Sequence, residues 1–264
     1  MNDGIKVGNA PPSKSVFSPS LIATVNIKQN LQLRAFYKDI FRYPTLSDQY
    51  YYTPQPRLVE PEYVKQYNIG AVYVKHFDKL VNYLILTADA YYNDVTNKII
   101  YLPGRSAEIP SVRNLGAVDI RGVDVTAKVE LKPSYKWRVN LSGSYTFQKS
   151  LDVTNPDDRY YLEQIPYTPV HNANFNTSVN YKKIGLNYNF SYSSARYYTS
   201  NNTPQYYIAP YKLSDISAIY NFSAFKMPVM ASAEVNNLFN ERYEVVRYYP
   251  MPQRSVRFTL QITI

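Results

Sequence analysis

Cysteine is absent from this 264-residue chain, which excludes a disulfide scaffold, thiol catalysis and cysteine-based zinc or iron–sulfur sites. Only two histidines occur, His76 and His171, so multi-histidine metal sites are not expected. No run approaches the ~18 uninterrupted apolar residues of a membrane-crossing helix. Helical spacing of apolar residues is hard to find anywhere. Residues 1–15, MNDGIKVGNAPPSKS, carry no apolar stretch of the kind a secretory signal requires, so an exported protein is expected to have a longer precursor. The basic residues are dispersed and form no continuous stripe, which argues against a nucleic-acid partner despite a net charge of +9.

What is plentiful is tyrosine, 29 residues, within a 16% aromatic content that disfavours intrinsic disorder. Tyrosine joins an apolar ring to a polar tip and suits a boundary between apolar and wet surroundings. The dominant pattern is alternation with period two. In 137–148, Trp137, Val139, Leu141, Gly143, Tyr145 and Phe147 interleave with Arg138, Asn140, Ser142, Ser144, Thr146 and Gln148. In 184–193, Ile184, Leu186, Tyr188, Phe190 and Tyr192 alternate with Gly185, Asn187, Asn189, Ser191 and Ser193. One face of 172–181 reads Asn172, Asn174, Asn176, Ser178, Asn180, a face suited to a wet lumen. The final segment sets Val256, Phe258, Leu260, Ile262 and Ile264 against Ser255, Arg257, Thr259, Gln261 and Thr263. Similar strands are predicted near 18–28, 31–38, 64–76, 80–92, 117–131, 210–222 and 228–237.

A soluble sandwich also alternates, so two further features decide. Short turns, near 28–30, 77–79, 132–135, 182–183 and 223–227, alternate with long loops near 39–60, 94–116, 149–169, 195–209 and 239–252. Short turns at one end and long loops at the other is the construction of transmembrane β-barrels. Most strands also read as roughly 10–14 residues, enough for a tilted strand to cross the hydrocarbon layer, whereas soluble strands cluster at about 5–6. The predicted fold is therefore all-β: an antiparallel up-and-down transmembrane β-barrel segment. Residues 1–16 read as an irregular lead-in and 17–264 as the barrel. Tyr91, Tyr92, Tyr181, Tyr197 and Tyr198 near strand ends are assigned to aromatic girdles, and lysines such as Lys75, Lys136, Lys182 and Lys226 flank the short turns.

Six motifs then point to a family. Phe41-Arg42-Tyr43-Pro44-Thr45-Leu46 with Gln49-Tyr50 resembles FRxPTLxELY; Leu58 and Pro61-Glu62, followed by Tyr67-Asn68-Ile69-Gly70, resemble LxPE…YExG. Asn114-Leu115-Gly116 with Arg121-Gly122-Val123-Asp124 is similar to the NxG…GvE strand entry, and Pro166 to His171 to a PxxP-H element. Asn237-Leu238-Phe239-Asn240 with Tyr243 matches NLFnxxY, and Tyr249-Pro250-Met251-Pro252-Gln253-Arg254 resembles YPMPGR, with Gln253 in place of the usual glycine. In this order over residues 41–264 they resemble the C-terminal part of a TonB-dependent outer-membrane receptor, a family of energised transporters for siderophores, cobalamin and glycans.

That resemblance implies a 22-strand barrel with a plugged lumen, of which about eleven strands are counted here. No plug domain, TonB box or signal peptide is recognised, so the chain is expected to be the C-terminal half of a receptor in a Gram-negative outer membrane. It implies uptake of a scarce nutrient, an iron–siderophore, haem or cobalamin-type ligand or a glycan, with no reaction catalysed and no cofactor. The implied partners are outer-membrane lipid and lipopolysaccharide, the barrel-assembly machinery, and the TonB complex through the plug. The last strand, Val256, Phe258, Leu260, Ile262 and Ile264, is the expected insertion signal, although the family usually ends in an aromatic residue.

Candidate ligand residues come from the long loops: Tyr50, Tyr51, Tyr52, Arg105, Arg113, Tyr160, Tyr161, Arg196, Tyr197, Tyr198, Tyr206, Tyr207, Tyr248 and Tyr249, with Arg159, Arg242 and Arg247 on the same side. Stacking and bidentate hydrogen bonding by such residues suit an anionic, ring-bearing or sugar-like ligand. The bland alternative places these tyrosines in the outer girdle and these arginines on lipid phosphates. Asp157-Asp158 reads as a polar loop tip rather than a calcium site, and Glu60 and Glu62 as architectural. A second reading is a small self-contained outer-membrane barrel, acting as a hydrolase with His171 at the loop rim (His76 lies at the opposite end) or as a passive pore or adhesin.

Overall fold

The computed structural model describes residues 15–50, 59–102, 111–224 and 226–263. Its strands are β1 (Ser20–Lys28), β2 (Leu31–Arg42), β3 (Glu62–His76), β4 (Val81–Leu102), β5 (Ser111–Ser134), β6 (Trp137–Asp152), β7 (His171–Tyr181), β8 (Ile184–Ser193), β9 (Arg196–Tyr197), β10 (Tyr207–Ile208), β11 (Tyr211–Ala224), β12 (Met227–Asn236), β13 (Glu244–Val246), β14 (Tyr249–Pro250) and β15 (Ser255–Ile262). One helical turn, α1 (Leu46–Tyr50), and a 3₁₀ turn at Pro204–Tyr206 sit in the loops.

Eleven strands form one antiparallel sheet in the order β1-β2-β3-β4-β5-β6-β7-β8-β11-β12-β15. Every neighbour in the sheet is the next wall strand along the chain, so this is a meander. Among the described residues β1 and β15 are unpaired edges, and the sheet is an open, partial barrel wall.

Register decides what each face carries. The row Val25–Leu33–Ala71–Ala88–Val125–Tyr145–Ala173–Tyr192 crosses eight strands, and the row Ile216–Val235–Val256 continues the same apolar face. One residue along each strand, Arg34–Gly70–Asp89–Asp124–Thr146–Asn172–Ser193 line up on the other face. Here Arg34 donates to Asp89 at 2.6 Å, Thr146 to Asp124 at 2.6 Å, and on a later row Arg257 to Glu234 at 2.7 Å. A one-residue slip would exchange the two faces completely, so register is fixed by polarity.

Two motif glycines make this face possible. Tyr91 lies flat across Gly122 to donate to Gln148 at 2.9 Å, and a Cβ on Gly122 would meet the Tyr91 hydroxyl at 2.3 Å. Gly70 leaves the gap through which Arg34 reaches Asp89. Tyr91 thus belongs to the polar face and not to a girdle, correcting the expectation from its strand-end position. Tyr92 does lie on the apolar face, in a ladder with Tyr37 and Tyr67 whose centroids stand 5.1 and 6.1 Å apart. Trp137 packs on Tyr181 at 4.4 Å by the opposite, short-turn end, where Lys182 and Lys136 stand over Tyr181 and Tyr135.

The five short connections and five long ones segregate as predicted. Lys182 and Lys226 take positive φ (50° and 65°) in two of the tight turns, a conformation more often left to glycine. One loop boundary differs from expectation. Strands β4 and β5 run on to Leu102 and from Ser111 through most of the segment read as loop 94–116. Alternation fails there because both faces are covered: Ile99 and Ile100 are both buried, Ile99 against Val59 and Val112.

Candidate functional site

The β6–β7 loop folds over the polar face of the sheet. Ile165 in the β6–β7 loop packs on Val95 and Val118 of the polar rows. The same loop is laced to β6, with Ile165 N donating to Ser150 O at 2.9 Å and Ser150 N to Gln164 Oε1 at 3.2 Å. The motif residues build this layer. Glu62, buried, accepts from Ile99 N at 2.9 Å and from Lys98 at 3.1 Å. Asn114 donates to Glu60 O and Asn97 O and accepts from Glu60 N at 2.7 Å, joining the β2–β3 loop to the extended β4–β5 hairpin. Asn237 at φ 51° exchanges side-chain hydrogen bonds with Glu241 N and O, and Asn240 accepts from Arg254 N at 2.9 Å. The NLFN and PMPQR segments therefore clamp one loop from its two ends.

At the FRYPT motif, Thr45 and Asp48 cap α1 reciprocally, Asp48 N donating to Thr45 Oγ1 at 3.2 Å and Thr45 N to Asp48 Oδ2 at 2.9 Å. Burial pushes the Asp48 carboxyl up, but hydrogen bonds from Tyr101 and Thr45 and the Arg42 charge outweigh it and hold the group below its ordinary 3.8.

Two cavities lie among these loops. The larger, about 1120 Å³, is lined mainly by polar and charged residue types. It brings together Arg113 from β5, Arg159 and Tyr160 from the β6–β7 loop, Tyr198 and Tyr206 from the β8–β11 loop, and Arg247, Tyr248 and Tyr249 from the β12–β15 loop. Arg159 stacks on Tyr160 with its guanidinium 4.5 Å from the ring, and Arg247 stands 4.8 Å from the Tyr248 ring and 5.9 Å from that of Tyr198. Tyr198 packs edge-on against Tyr206 and Tyr248 at 5.6 and 6.3 Å. Burial and the neighbouring Tyr248 hydroxyl raise the Tyr198 phenol, which keeps it neutral. Burial works against the Arg247 charge, but the Glu244 carboxylate at 3.1 Å more than compensates and its pKa is raised. Asn114, Asp152, Thr154, Asp158, Thr199, Ser200 and Asn201 also line this cavity. Sequence reading did not select these, because a polar loop residue looks the same whether it faces solvent or a cavity. Asp157 and Asp158 do form a loop tip, with Asp157 N and Asp158 N donating to Asn155 Oδ1 and O at 3.0 Å.

The second cavity, about 780 Å³, is mostly apolar, walled by Ile99, Ile100, Ile165, Pro166, Val245, Val246 and Met251 with Lys98, Tyr101, Tyr167, Thr168, Arg196 and Tyr249. Arg196 lines this cavity rather than the polar one and is 4% exposed. Its Nη2 donates to Glu244 O and Val245 O, both at 2.9 Å, and its guanidinium faces the Tyr211 ring at 5.6 Å. Burial lowers its pKa and raises the Tyr167 phenol to about 12.

The remaining predicted residues are scattered. Tyr197 and Tyr207 pair as the β9–β10 hairpin, their rings 6.4 Å apart, and Tyr161 is placed by a backbone hydrogen bond to Asp158 O at 3.0 Å. Arg242 is exposed. Tyr50 ends α1, and Tyr51, Tyr52, Arg105 and Ile264 lie outside the described residues. Val256, Phe258, Leu260 and Ile262 form the apolar face of β15 and are all exposed at the sheet edge. His171 is held on the apolar face, its Nδ1 2.7 Å from the Tyr145 hydroxyl and its ring against Phe147. His76 lies 6.4 Å from Tyr83 beside the β3–β4 turn.

Solved structures similar to this chain include the siderophore receptor PiuA from Acinetobacter baumannii, with a TM-score of 0.67, 21% identity and coverage of 91% of this chain and 35% of that one. The ferric-catecholate import receptor Fiu from E. coli K12 gives 0.65 at 19% identity, covering 91% and 34%. The copper transporter OprC gives 0.67 at 16% identity, covering 92% and 38%. At these identities the likeness establishes the fold, and the chain spans little more than a third of each relative. No curated protein matches the sequence. Residues 2–238 match the family described as TonB dependent receptor-like, beta-barrel. With its meander of long strands, its motif residues each holding a loop, and this match over most of its length, the chain belongs to the TonB-dependent receptor β-barrel family.

Proposed function

We propose that this chain is the C-terminal wall and ligand-facing loop set of an outer-membrane receptor that takes up a scarce nutrient in a TonB-dependent manner. The apolar face meets lipid and lipopolysaccharide, the polar face lines the lumen, and the long loops face the cell exterior. Val256, Phe258, Leu260, Ile262 and Ile264 are offered to the barrel-assembly machinery, and the TonB complex is engaged through a plug domain beyond this sequence. The observation that carries the reading is the gathering of Arg113, Arg159 and Arg247 with Tyr160, Tyr198, Tyr206, Tyr248 and Tyr249 around one polar cavity above the polar face.

Three guanidiniums on a tyrosine-lined wall, one of them already paired with Glu244 and all sharing the cavity with Asp152 and Asp158, favour a ligand that is anionic and carries flat rings, because arginine binds carboxylate and catecholate oxygens in pairs while tyrosine stacks. The cavity is larger than the ~300–1000 Å³ of ordinary small-molecule sites, which suits a ferric siderophore better than a single sugar or amino acid. Haem, a cobalamin-type ligand and a glycan are the alternatives, and of these haem, with two carboxylates on a flat ring, fits the cavity best.

The test is uptake of ⁵⁵Fe-labelled siderophores by cells whose iron supply depends on the receptor containing this chain. Arg113→Gln, Arg159→Gln and Arg247→Gln together are expected to cut uptake at least about tenfold with surface expression unchanged, since hydrogen bonds to charged groups are worth about 1.5–3 kcal/mol each. Wild-type uptake rates in the triple variant would refute the assignment of this cavity.

A further inference from the structure

The Arg196 guanidinium is almost fully buried, and its two hydrogen bonds, to Glu244 O and Val245 O, both leave from Nη2. Its Nη1 is buried and has no hydrogen-bond partner among the described residues. No carboxylate among them pairs with this charge either: the ion pairs formed are those of Arg34, Arg42, Lys98, Arg121, Lys132, Arg138, Arg247 and Arg257. A buried charge without a counter-ion is costly and is normally paired. Lys98, the other cation of this cavity, shows the ordinary solution, with Glu62 at 3.1 Å. Beside Arg196 the walls are Ile100, Ile165, Pro166 and Val246, apolar surface that water wets poorly. Tyr167, whose phenol stays protonated, adds a neutral donor to the same cavity.

We infer that this apolar cavity is a second binding site, distinct from the polar one, for a compact amphiphile that sets a single carboxylate against Arg196 and its apolar body against Ile100, Ile165 and Val246. One guanidinium with one buried nitrogen left without a partner matches one anionic head, whereas the polar cavity presents three arginines. The cavity falls within the range of drug-sized ligand sites, and an apolar lining with a few convergent polar groups is the usual make-up of such sites. Tyr249 lines both cavities, so an occupant here is positioned to alter the wall of the polar site. The inference does not rest on iron uptake, because none of the polar cavity's arginines takes part in it.

The test uses the receptor containing this chain, purified from outer membranes into phospholipid nanodiscs and titrated calorimetrically with 4-phenylbutyrate and with 4-phenylbutanol. These probes share a body and differ in the head. Wild-type protein is expected to bind the carboxylate saturably and about tenfold more tightly than the alcohol, as a charge-assisted hydrogen bond implies. Arg196→Met should erase that preference, and Val246→Trp, which fills the cavity while leaving Arg196 in place, should weaken both probes. Equal affinities in the wild type, no saturable binding of either probe, a preference that survives Arg196→Met, or undiminished binding of both probes by Val246→Trp would each overturn the inference, as would a high-resolution map showing only water at Nη1 in the presence of 4-phenylbutyrate. Should Arg196→Met fail to fold because it staples β13, the wild-type comparison and Val246→Trp still decide. Loss of this site leaves the siderophore-uptake test unaffected, so the two readings fail separately.

Discussion

Gly70 and Asp89 face each other across the β3–β4 pair so closely that a Cβ on the glycine would stand 2.1 Å from Asp89 Oδ1. The space is filled by the Asp89 carboxylate, which takes two hydrogen bonds from Arg34, at 3.1 and 2.6 Å, from one strand further on. Gly70→Ala is therefore expected to destabilise the wall by about 1–3 kcal/mol, the usual cost of overpacking. Gly143→Ala, where the nearest atom is Asn174 O at 3.6 Å, is expected to fall within about 0.5 kcal/mol of wild type. Urea unfolding in phospholipid vesicles separates the two, and equal effects would remove the packing role assigned to Gly70.

The two faces of the sheet predict opposite tolerance of charge. Ala88 sits between Leu86 and Ala90 on the apolar face, so Ala88→Lys is expected to cost about 2–4 kcal/mol if that row lies deep in hydrocarbon. Asn174, on the polar face of β7 and exposed, is expected to accept lysine with little change in stability or yield. Equal penalties at both sites would contradict the assignment of lipid and lumen.

The α1 cap predicts a pH dependence with a definite sign. Asp48 has a folded pKa below 3.8, so its stabilising contribution is fully present above that ordinary value and is lost as pH falls through the lower, folded one. The melting-temperature difference between wild type and Asp48→Asn is expected to stay constant from about pH 7 to pH 5 and to shrink below about pH 4. A difference that grows on acidification would reverse the assignment.

The strands were legible because a sheet with one apolar and one polar face imposes an alternation that survives in the sequence, as in Trp137 to Gln148 and Ile184 to Ser193. Where a third layer covers the sheet, the signal vanishes: Val95, Ile99 and Ile100 are buried beneath loops, and the β4–β5 extension there read as loop. Tyr91 and Tyr92 are neighbours of the same type, yet the pleat sends one to Gln148 and the other to the tyrosine ladder of the apolar face. Only the register, set by Gly122 and its partners, separates them. The arginines divide for a similar reason. Arg113, Arg159 and Arg247 share a cavity because the start of β5 and two distant loops converge, and Arg196 is drawn aside by the carbonyls of Glu244 and Val245. No local pattern encodes that convergence, although the Asn114, Asn237 and Asn240 motif positions that hold the loops were visible.

The measurement closest to the central claim is accessibility of the two ends of the wall in intact cells. The chain has no cysteine of its own, so labelling gained by a single introduced cysteine is read against the unsubstituted receptor as background. Asp157→Cys, at the exposed tip of the β6–β7 loop, and Asp78→Cys, in the exposed β3–β4 turn, would be treated with a membrane-impermeant maleimide in the cells that carry the receptor. The account predicts that Asp157→Cys labels on intact cells and Asp78→Cys labels only after the outer membrane is permeabilised. Labelling of Asp78→Cys on intact cells while Asp157→Cys stays protected, or equal labelling of both without permeabilisation, would contradict an outer-membrane wall with its long loops facing outward.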